Sequence, residues 1–402
     1  MNVTPTRLIE NLRAHAPRLL RPLAAITLVV ATYLALAASS DALSGSAAPD
    51  APVADAPVAG EVAVRLRPPD RRVLLGFVGD IHVHRKVNRS ALGLSGDYDY
   101  FPMFQQVKPL LDTLDLAVCH LEQPFAPAGQ PVMVEPPLLS SSAKLAAGLA
   151  QAGFDRCGTA SNHAMDRGPE GVDATLAAMD AAGLGHAGTA RTPDEATPKV
   201  SLVNGVRIAQ LAYTFGSNRG TPPGQKWRLN VASPAAIVAD ARQARAAGAE
   251  VVIVTIEWGA DQVVEPTADQ RKTAAAITAS HDIDLIVGYQ AHVIQPISKV
   301  NGTWVVWGMG NFLSDHPVNH TWSASSQDGA IFTVDVSVDS AGHARVDKPL
   351  VIPTWCDRTN RHVLLPTYLK NDASLPEWKR QQLRISAART ARVVGDHIAP
   401  GS

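Results

Sequence analysis

The chain has 402 residues, 36 Lys and Arg against 37 Asp and Glu, and a formal net charge of -1, so its total charge does not suit it to hold nucleic acid or an acidic polymer by bulk attraction. Three cysteines, Cys119, Cys157 and Cys356, exclude a dense disulfide framework; Cys119 and Cys157 fall in apolar runs where a small buried hydrophobe is the ordinary role, and one bridge stays open for a domain outside the cytoplasm. With the first seventy or so residues set aside as non-globular, the remaining length suits one large α/β domain.

At the N-terminus, Arg7, Arg13, Arg18 and Arg21 precede a charge-free run over residues 23–38 (LAAITLVVATYLALAA), and no acidic residue lies between Glu10 and Asp41. Positive charge ahead of an apolar segment holds the N-terminus in the cytoplasm and exports the chain beyond that segment. A cytoplasmic basic leader is therefore expected over 1–22 and a signal anchor or signal peptide over 23–38. The run is slightly long for a signal-peptide core and slightly short for a relaxed span of ~20 residues. The long leader favours a retained transmembrane anchor, whereas Ala35-Leu36-Ala37 would permit cleavage and a secreted form. An inner-membrane protein with its domain on the periplasmic or outer side is the expectation. Residues 39–71 are rich in Ala and Pro (APDAPVADAPVAG among them), a spacing that resists helix and strand and suits an extended tether.

The folded domain is expected from residue 72. Short continuous apolar runs at 73–78, 114–119, 205–213, 249–256, 283–288 and 303–307 have the composition of strands buried on both faces. Ala-rich segments with helical spacing lie between several of them, at 143–152, 169–182, 234–247 and 267–280. Ser233-Pro234 supplies a cap and a first-turn proline, and Gly153, Gly183 and Gly248 stand at helix ends. This alternation predicts a mixed or mostly parallel sheet covered by helices. After Gly329 the pattern becomes alternating (IFTVDV), as in antiparallel strands. Residues 375–398, with Lys379, Arg380, Arg384, Arg389 and Arg392, predict a basic helix whose default place is the solvated surface.

Six polar stretches come after these runs: Gly79-Asp80-Ile81-His82, His120-Leu121-Glu122, the segment Ser161 to Asp166, Glu257-Trp258-Gly259, Tyr289-Gln290-Ala291-His292, and Gly308 to Phe312 with Asn311. In open α/β sheets the carboxyl ends of strands face one crevice, so separate loops can deliver ligands to one place. Carboxylate, imidazole and carboxamide are what hold a divalent cation for phosphoester-type chemistry. Glu122 follows an apolar strand, and a buried carboxylate needs either an Arg partner or a metal. Asn162 offers a neutral oxygen and His163 an imidazole free to donate a proton; Asp166 is expected to orient His163 or cap the next helix. Trp258 suits core or rim packing, with a substrate wall as the other option. His84, His316 and His320 are left unassigned.

In this order, GD, LE, NHxxDxG, EWG, QAHVIQP and GMGNF resemble the motifs of the capsule-synthesis CapA family, which is associated with poly-γ-glutamate synthesis and export and is itself similar to the calcineurin-like metallophosphatases. The resemblance covers residues 73–314. It implies a metallophosphatase-like β-sandwich flanked by helices over 72–352, followed by a C-terminal extension over 353–402. It also implies a two-metal site at the sandwich rim. One cation would be held by Asp80, His82, Glu122 and His292. The second would share Asp80 or Glu122 and add Asn162, Glu257 and Gln290, with His163 as proton donor and Trp258, Asp166 and Asn311 in support. Glu257 and Gln290 stand where the family has histidine, and His120 where it has asparagine. One or two divalent ions are expected, Mn, Mg, Fe and Zn being undistinguished, and the oxygen ligands favour a harder ion at the second position. Partners implied are the membrane through the N-terminal segment, other capsule-synthesis membrane subunits and a polyanionic polymer, with no nucleic acid. Three functions stay open: a capsule or poly-γ-glutamate component with a hydrolase-like metal site, an extracytoplasmic metal-dependent phosphoesterase, and a non-catalytic scaffold of the same fold.

Overall fold

The computed structural model describes residues 70–400; the basic leader, the apolar run at 23–38 and the tether to residue 69 lie outside them. The first strand, β1 (Arg71–Ile81), is buried on both faces from Leu75 onward. A short helix α1 (Arg85–Ala91), β2 (Leu116–Leu121), α2 (Lys144–Ala152), β3 (Arg156–Gly158), α3 (Gly168–Ala181) and β4 (Gly185–Ala187) come next. These four strands are mutually parallel, as strands joined by helical crossovers are.

A hairpin of β5 (Val200–Val203) and β6 (Val206–Thr214) opens the second half. Its turn is Asn204-Gly205, both at positive φ (45° and 78°), the conformation a two-residue hairpin loop demands. Then come α4 (Pro234–Ala246), β7 (Val251–Glu257), α5 (Ala268–Thr278) and β8 (Leu285–Tyr289). The Ser233 hydroxyl accepts the Ala236 N–H ahead of α4, and Thr267 with Gln270 forms a full capping box ahead of α5. The remaining elements are β9 (Ile297–Val300), β10 (Thr303–Val306), β11 (Asn311–Leu313), β12 (Asp328–Val338), β13 (Ala344–Val346), β14 (Leu350–Cys356), β15 (Val363–Leu364) and α6 (Glu377–Val394). Among the described residues no helix is long and apolar enough to cross a membrane.

The strands make two sheets. One has the order β15-β14-β12-β1-β2-β3-β4, with β11 added to β1 and β13 to β12; the other has the order β5-β6-β7-β8-β10-β9. Their inner faces share one apolar core, in which Val73, Leu75, Phe77 and Val118 from the first sheet pack with Ile208, Ile253, Leu285 and Val287 from the second. A second cluster lies outside the second sheet, where Ile237, Ala241, Ala274 and Ile277 of α4 and α5 cover Val252, Val254 and Ile286. The carboxyl ends of β1, β2 and β3 in one sheet and of β6, β7 and β8 in the other open onto the same rim.

The division expected between residues 352 and 353 falls inside β14, which pairs antiparallel with β12 over six residues. The basic helix is likewise part of the domain rather than a solvated addition. Leu383, Ser386, Thr390 and Val394 make one buried stripe on α6, and Arg389 sends two hydrogen bonds, 2.6 and 2.7 Å, to the buried carboxylate of Asp328. Two of those four buried positions are hydroxyls, so the helix carries almost no apolar periodicity for its burial to be inferred from.

Candidate metal centre

The site begins with close backbone packing at the end of β1. A Cβ on Gly79 would lie 2.2 Å from the Gly310 carbonyl oxygen, so only glycine lets the two segments touch. That approach allows the Asp80 N–H to donate to the Gly310 carbonyl at 2.9 Å and pairs Asp80 with Asn311 across β11. The β1–β2 register shifts between Phe77 and Asp80, setting Asp80 beside His120, and Glu122 lies one residue past the end of β2. After β8 the chain carries Gln290 at φ 85° and His292 at φ 53°, both non-glycine residues in the left-handed region. Such strain persists where surrounding structure enforces it, and it collects at functional sites.

Three overlapping groups place metal-ligating atoms within 4.8 Å of one another: Asp80, Glu122 and His292; His82, Glu122 and His163; and His82, His292 and His316. Glu122 Oε1 sits 3.2 Å from His82 Nδ1 and 3.6 Å from His292 Nε2, and Asp80 Oδ2 sits 3.2 Å from His292 Nδ1. Asn311 fixes the His292 ring. Its Nδ2 donates to the Ser326 carbonyl at 2.8 Å, which turns Oδ1 toward His292 Nδ1 at 2.9 Å. Nδ1 then carries a proton and Nε2 is the atom left to bind, an outer-shell arrangement common behind metal-ligating imidazoles.

The polar atoms here are buried and short of partners. Asp80, Glu122 and Glu257 are each 1% exposed, yet both Asp80 oxygens, Glu122 Oε2, Glu257 Oε1 and both His82 ring nitrogens lack a hydrogen bond. Buried carboxylate oxygens without hydrogen bonds are costly, and acceptor-only oxygens beside imidazole nitrogens are the donor set a divalent cation takes. The residues therefore fit a metal ion. The electrostatics agree. Burial, with Asp80 and Glu257 nearby and against the pull of His292, drives the Glu122 carboxyl well above its usual range. Burial also lifts Glu257 to about 7, against hydrogen bonds from Thr214 and Asn162. For His292 burial is overcome by Glu122 and Asp80, which raise it to about 10, so an imidazolium balances the carboxylates when protein groups alone are counted. Burial among other rings lowers His82 and His316 well below the ordinary imidazole value and takes His84 to about 3.

His163 stands at the mouth, half-buried. Its Nδ1 lies 2.6 Å from Asp166 Oδ2, and that oxygen also accepts the Leu139 N–H at 2.6 Å. A carboxylate only accepts, so Nδ1 is the protonated nitrogen and Nε2 remains for exchange with a ligand. Asn162 is held by its backbone, its N–H reaching Glu257 Oε2 at 2.6 Å, while the Ser161 hydroxyl donates to its side-chain oxygen at 3.1 Å.

Several expected residues sit outside the three ligand groups. Trp258 is buried in the core outside the second sheet, its indole donating to the Trp307 carbonyl at 2.9 Å. Glu257 belongs to none of the three groups; the Thr214 hydroxyl and Asn162 N–H occupy one oxygen, and the other approaches His120 Nε2 at 4.0 Å. Gln290 donates to Asp261 at 2.9 Å, and its Oε1 is buried without a partner. His316, which the sequence left unassigned, stacks on Trp322 at 3.7 Å and closes on His84 and His292 at 4.6 and 4.7 Å between ring centres. The only signal for it was position, a few residues past the GMGNF turn. Asn218, 3.3 Å from His163 Nδ1, carried no signal. Cys119 and Cys157, adjacent across β2 and β3, are joined as a disulfide, the bridge the sequence left open.

A family model described as bacterial capsule synthesis protein PGA_cap matches residues 74–316 of this chain. The PGA biosynthesis protein CapA of Bacillus subtilis (strain 168) is 30% identical over 247 residues, covering 60% of this chain and 62% of that protein. The capsule biosynthesis protein CapA of Bacillus anthracis is 25% identical over 259 residues, covering 61% of each. The alignments thus span less than two thirds of the length of these curated relatives. Among solved structures, the calcineurin-like phosphoesterase YfkN from Bacillus subtilis aligns with a TM-score of 0.45 at 12% identity, over 81% of this chain and 99% of that one. The NAD nucleotidase NadN of Haemophilus influenzae aligns with a TM-score of 0.42 at 14% identity, over 82% and 64%.

Proposed function

This chain belongs to the bacterial capsule synthesis protein PGA_cap family, and from that premise we propose that it is an exported, membrane-tethered component of capsule biosynthesis or export, poly-γ-glutamate being the polymer class, with a metal-dependent hydrolase-type site. The observation that carries the catalytic half is the meeting of Asp80, Glu122 and His292, from strand ends of both sheets, with buried carboxylate oxygens that have no hydrogen bond. The tether and the extracytoplasmic location rest on the arginines before residues 23–38, with the Cys119–Cys157 disulfide in support, since such bonds persist in oxidising compartments. Capsule-synthesis membrane subunits and a polyanionic polymer are the partners this function requires.

Asp80, His82, Glu122 and His292 would hold one divalent ion; Asn162, Glu257 and Gln290 would serve a second, harder one. When bound, such an ion supplies Lewis acidity that offsets negative charge developing on a phosphoryl or acyl oxygen. The protein's own groups do the rest. His163 gives the Nε2 proton to the leaving group, and Asp166 holds the ring and stabilises its positive charge before transfer. Asn311 keeps His292 in one tautomer. Metal analysis of the purified chain, with hydrolysis of a generic phosphodiester in manganese, is the test. Bound metal lost in Asp80→Ala, and turnover lost in His163→Ala with metal retained, are expected. Unchanged metal content in Asp80→Ala overturns the ligand assignment.

A scaffold role without turnover is favoured by one observation, the engagement of a Glu257 oxygen by Thr214 and Asn162. Capsule restored to a deletion strain by a His163→Ala copy selects that role. Phosphodiester turnover with capsule unaffected by deletion selects an independent phosphoesterase.

A further inference from the structure

Away from the metal centre, the sandwich core changes character at one corner. Along β3, Arg156 lies in register with Val118 and Gly158 with His120, so both face the second sheet. Their neighbours on β4 across the ladder, Gly185 and Ala187, are small as well. Opposite them, the inner-face row of β6 runs from Ile208 to Gln210. The small residues leave a cavity of about 290 Å³ between the sheets, reached from solvent along β4 and lined by Arg156, Gln210, Ser201 and Asn230 among others.

Arg156 and Gln210, 6% and 2% exposed, are buried in the wall of this cavity with hydrogen-bonding capacity unused. The Arg156 guanidinium makes one hydrogen bond, from Nη1 to the Ser201 hydroxyl at 3.2 Å, and its buried Nε has none. Gln210 donates to Thr255 at 3.3 Å, leaving Oε1 buried and unpartnered. The carboxylates around the cavity are engaged elsewhere. Asp180 and Glu195 pair with Arg191, and Asp240 accepts the Tyr213 hydroxyl at 2.5 Å. Burial, only partly offset by Asp155, lowers Arg156 to about 10. A desolvated guanidinium without a counter-ion is unfavourable, whereas its planar fork matches a carboxylate edge.

We propose that this corner is a binding site for a small carboxylic acid that also carries a hydrogen-bond donor, an α-hydroxy or α-amino acid, with Arg156 holding the carboxylate and Gln210 Oε1 accepting from the hydroxyl or amine. The site shares no ligand with the metal centre and stands or falls independently of the proposed function. The test is ligand-observed saturation-transfer NMR on the metal-stripped full chain with glycolate, L-alanine and inorganic phosphate, in wild type, Arg156→Gln and Ser201→Asp. Ser201→Asp places a built-in carboxylate where Arg156 Nη1 already makes contact, so it satisfies the guanidinium without disturbing the core. Binding of glycolate or L-alanine that weakens at least about tenfold in both variants is expected. Should Arg156→Gln not fold, Ser201→Asp decides alone. No binding of either acid, binding of phosphate only, or binding unchanged in Ser201→Asp overturns the proposal.

Discussion

His120 lies beneath the ligand cluster, stacked on Tyr289 at 4.2 Å between ring centres and 2% exposed. Burial holds its imidazole at about 4, outweighing the attraction of Asp80. An unfolded chain takes up this proton near pH 6.5, and the folded protein does not until about pH 4. The fold therefore binds fewer protons across that window, and this group's stabilisation, complete above pH 6.5, is lost as the pH falls through it. Its share is about 3 kcal/mol in all, at ~1.4 kcal/mol for each pH unit separating the two values. Glu257 works in the opposite sense, so the quantity to read is a difference. In metal-stripped protein, His120→Asn is expected to flatten the dependence of urea-unfolding free energy on pH between 6.5 and 4. An unchanged slope would show that His120 takes up its proton equally in both states.

At the scale of elements, the Arg389–Asp328 contact ties α6 to the first residue of β12, with the Ser386 hydroxyl adding a 2.7 Å bond to the same carboxylate. Asp328 is 3% exposed in its side chain, so Arg389→Ala leaves a buried charge with one neutral partner. A loss of about 3–5 kcal/mol in unfolding free energy is expected. Adding Asp328→Asn to that variant should recover a substantial part, because the uncompensated charge is gone. If the single substitution is neutral, α6 is held by the rest of its buried face without this ion pair. The strands and helices were largely legible because their burial is written as period: the all-buried runs of β7 and β8 appear as unbroken apolar stretches, and α4 and α5 carry their caps. β14 was not, since Pro353 and Cys356 interrupt its pattern and its pairing partner lies in a distant segment.

Across the whole molecule, the proposed metal ligands come from both sheets, His82 and Glu122 from loops of the first and His292 from a loop of the second. An ion bound by these residues would tie the two layers together. Divalent cation at a hundred times its dissociation constant should stabilise the fold by about 2.7 kcal/mol, visible as a raised unfolding temperature that chelator reverses. Glu122→Ala and His292→Ala should each abolish this metal-dependent shift. Either variant keeping it in full would show that the ion does not lie between the sheets.

The kinds of residue available, their order along the chain and their places at strand ends were determined by sequence, because local apolar period reports which segments are strands and which polar residues come after them. Convergence was decided by tertiary structure alone. Nothing in the linear order shows Glu257 committed to Thr214, His316 closing beside His292, or Arg156 facing a cavity at the corner of the core. Each depends on which strands become neighbours, and strand pairing is set by the competition of all the apolar faces for one interior rather than by any segment on its own.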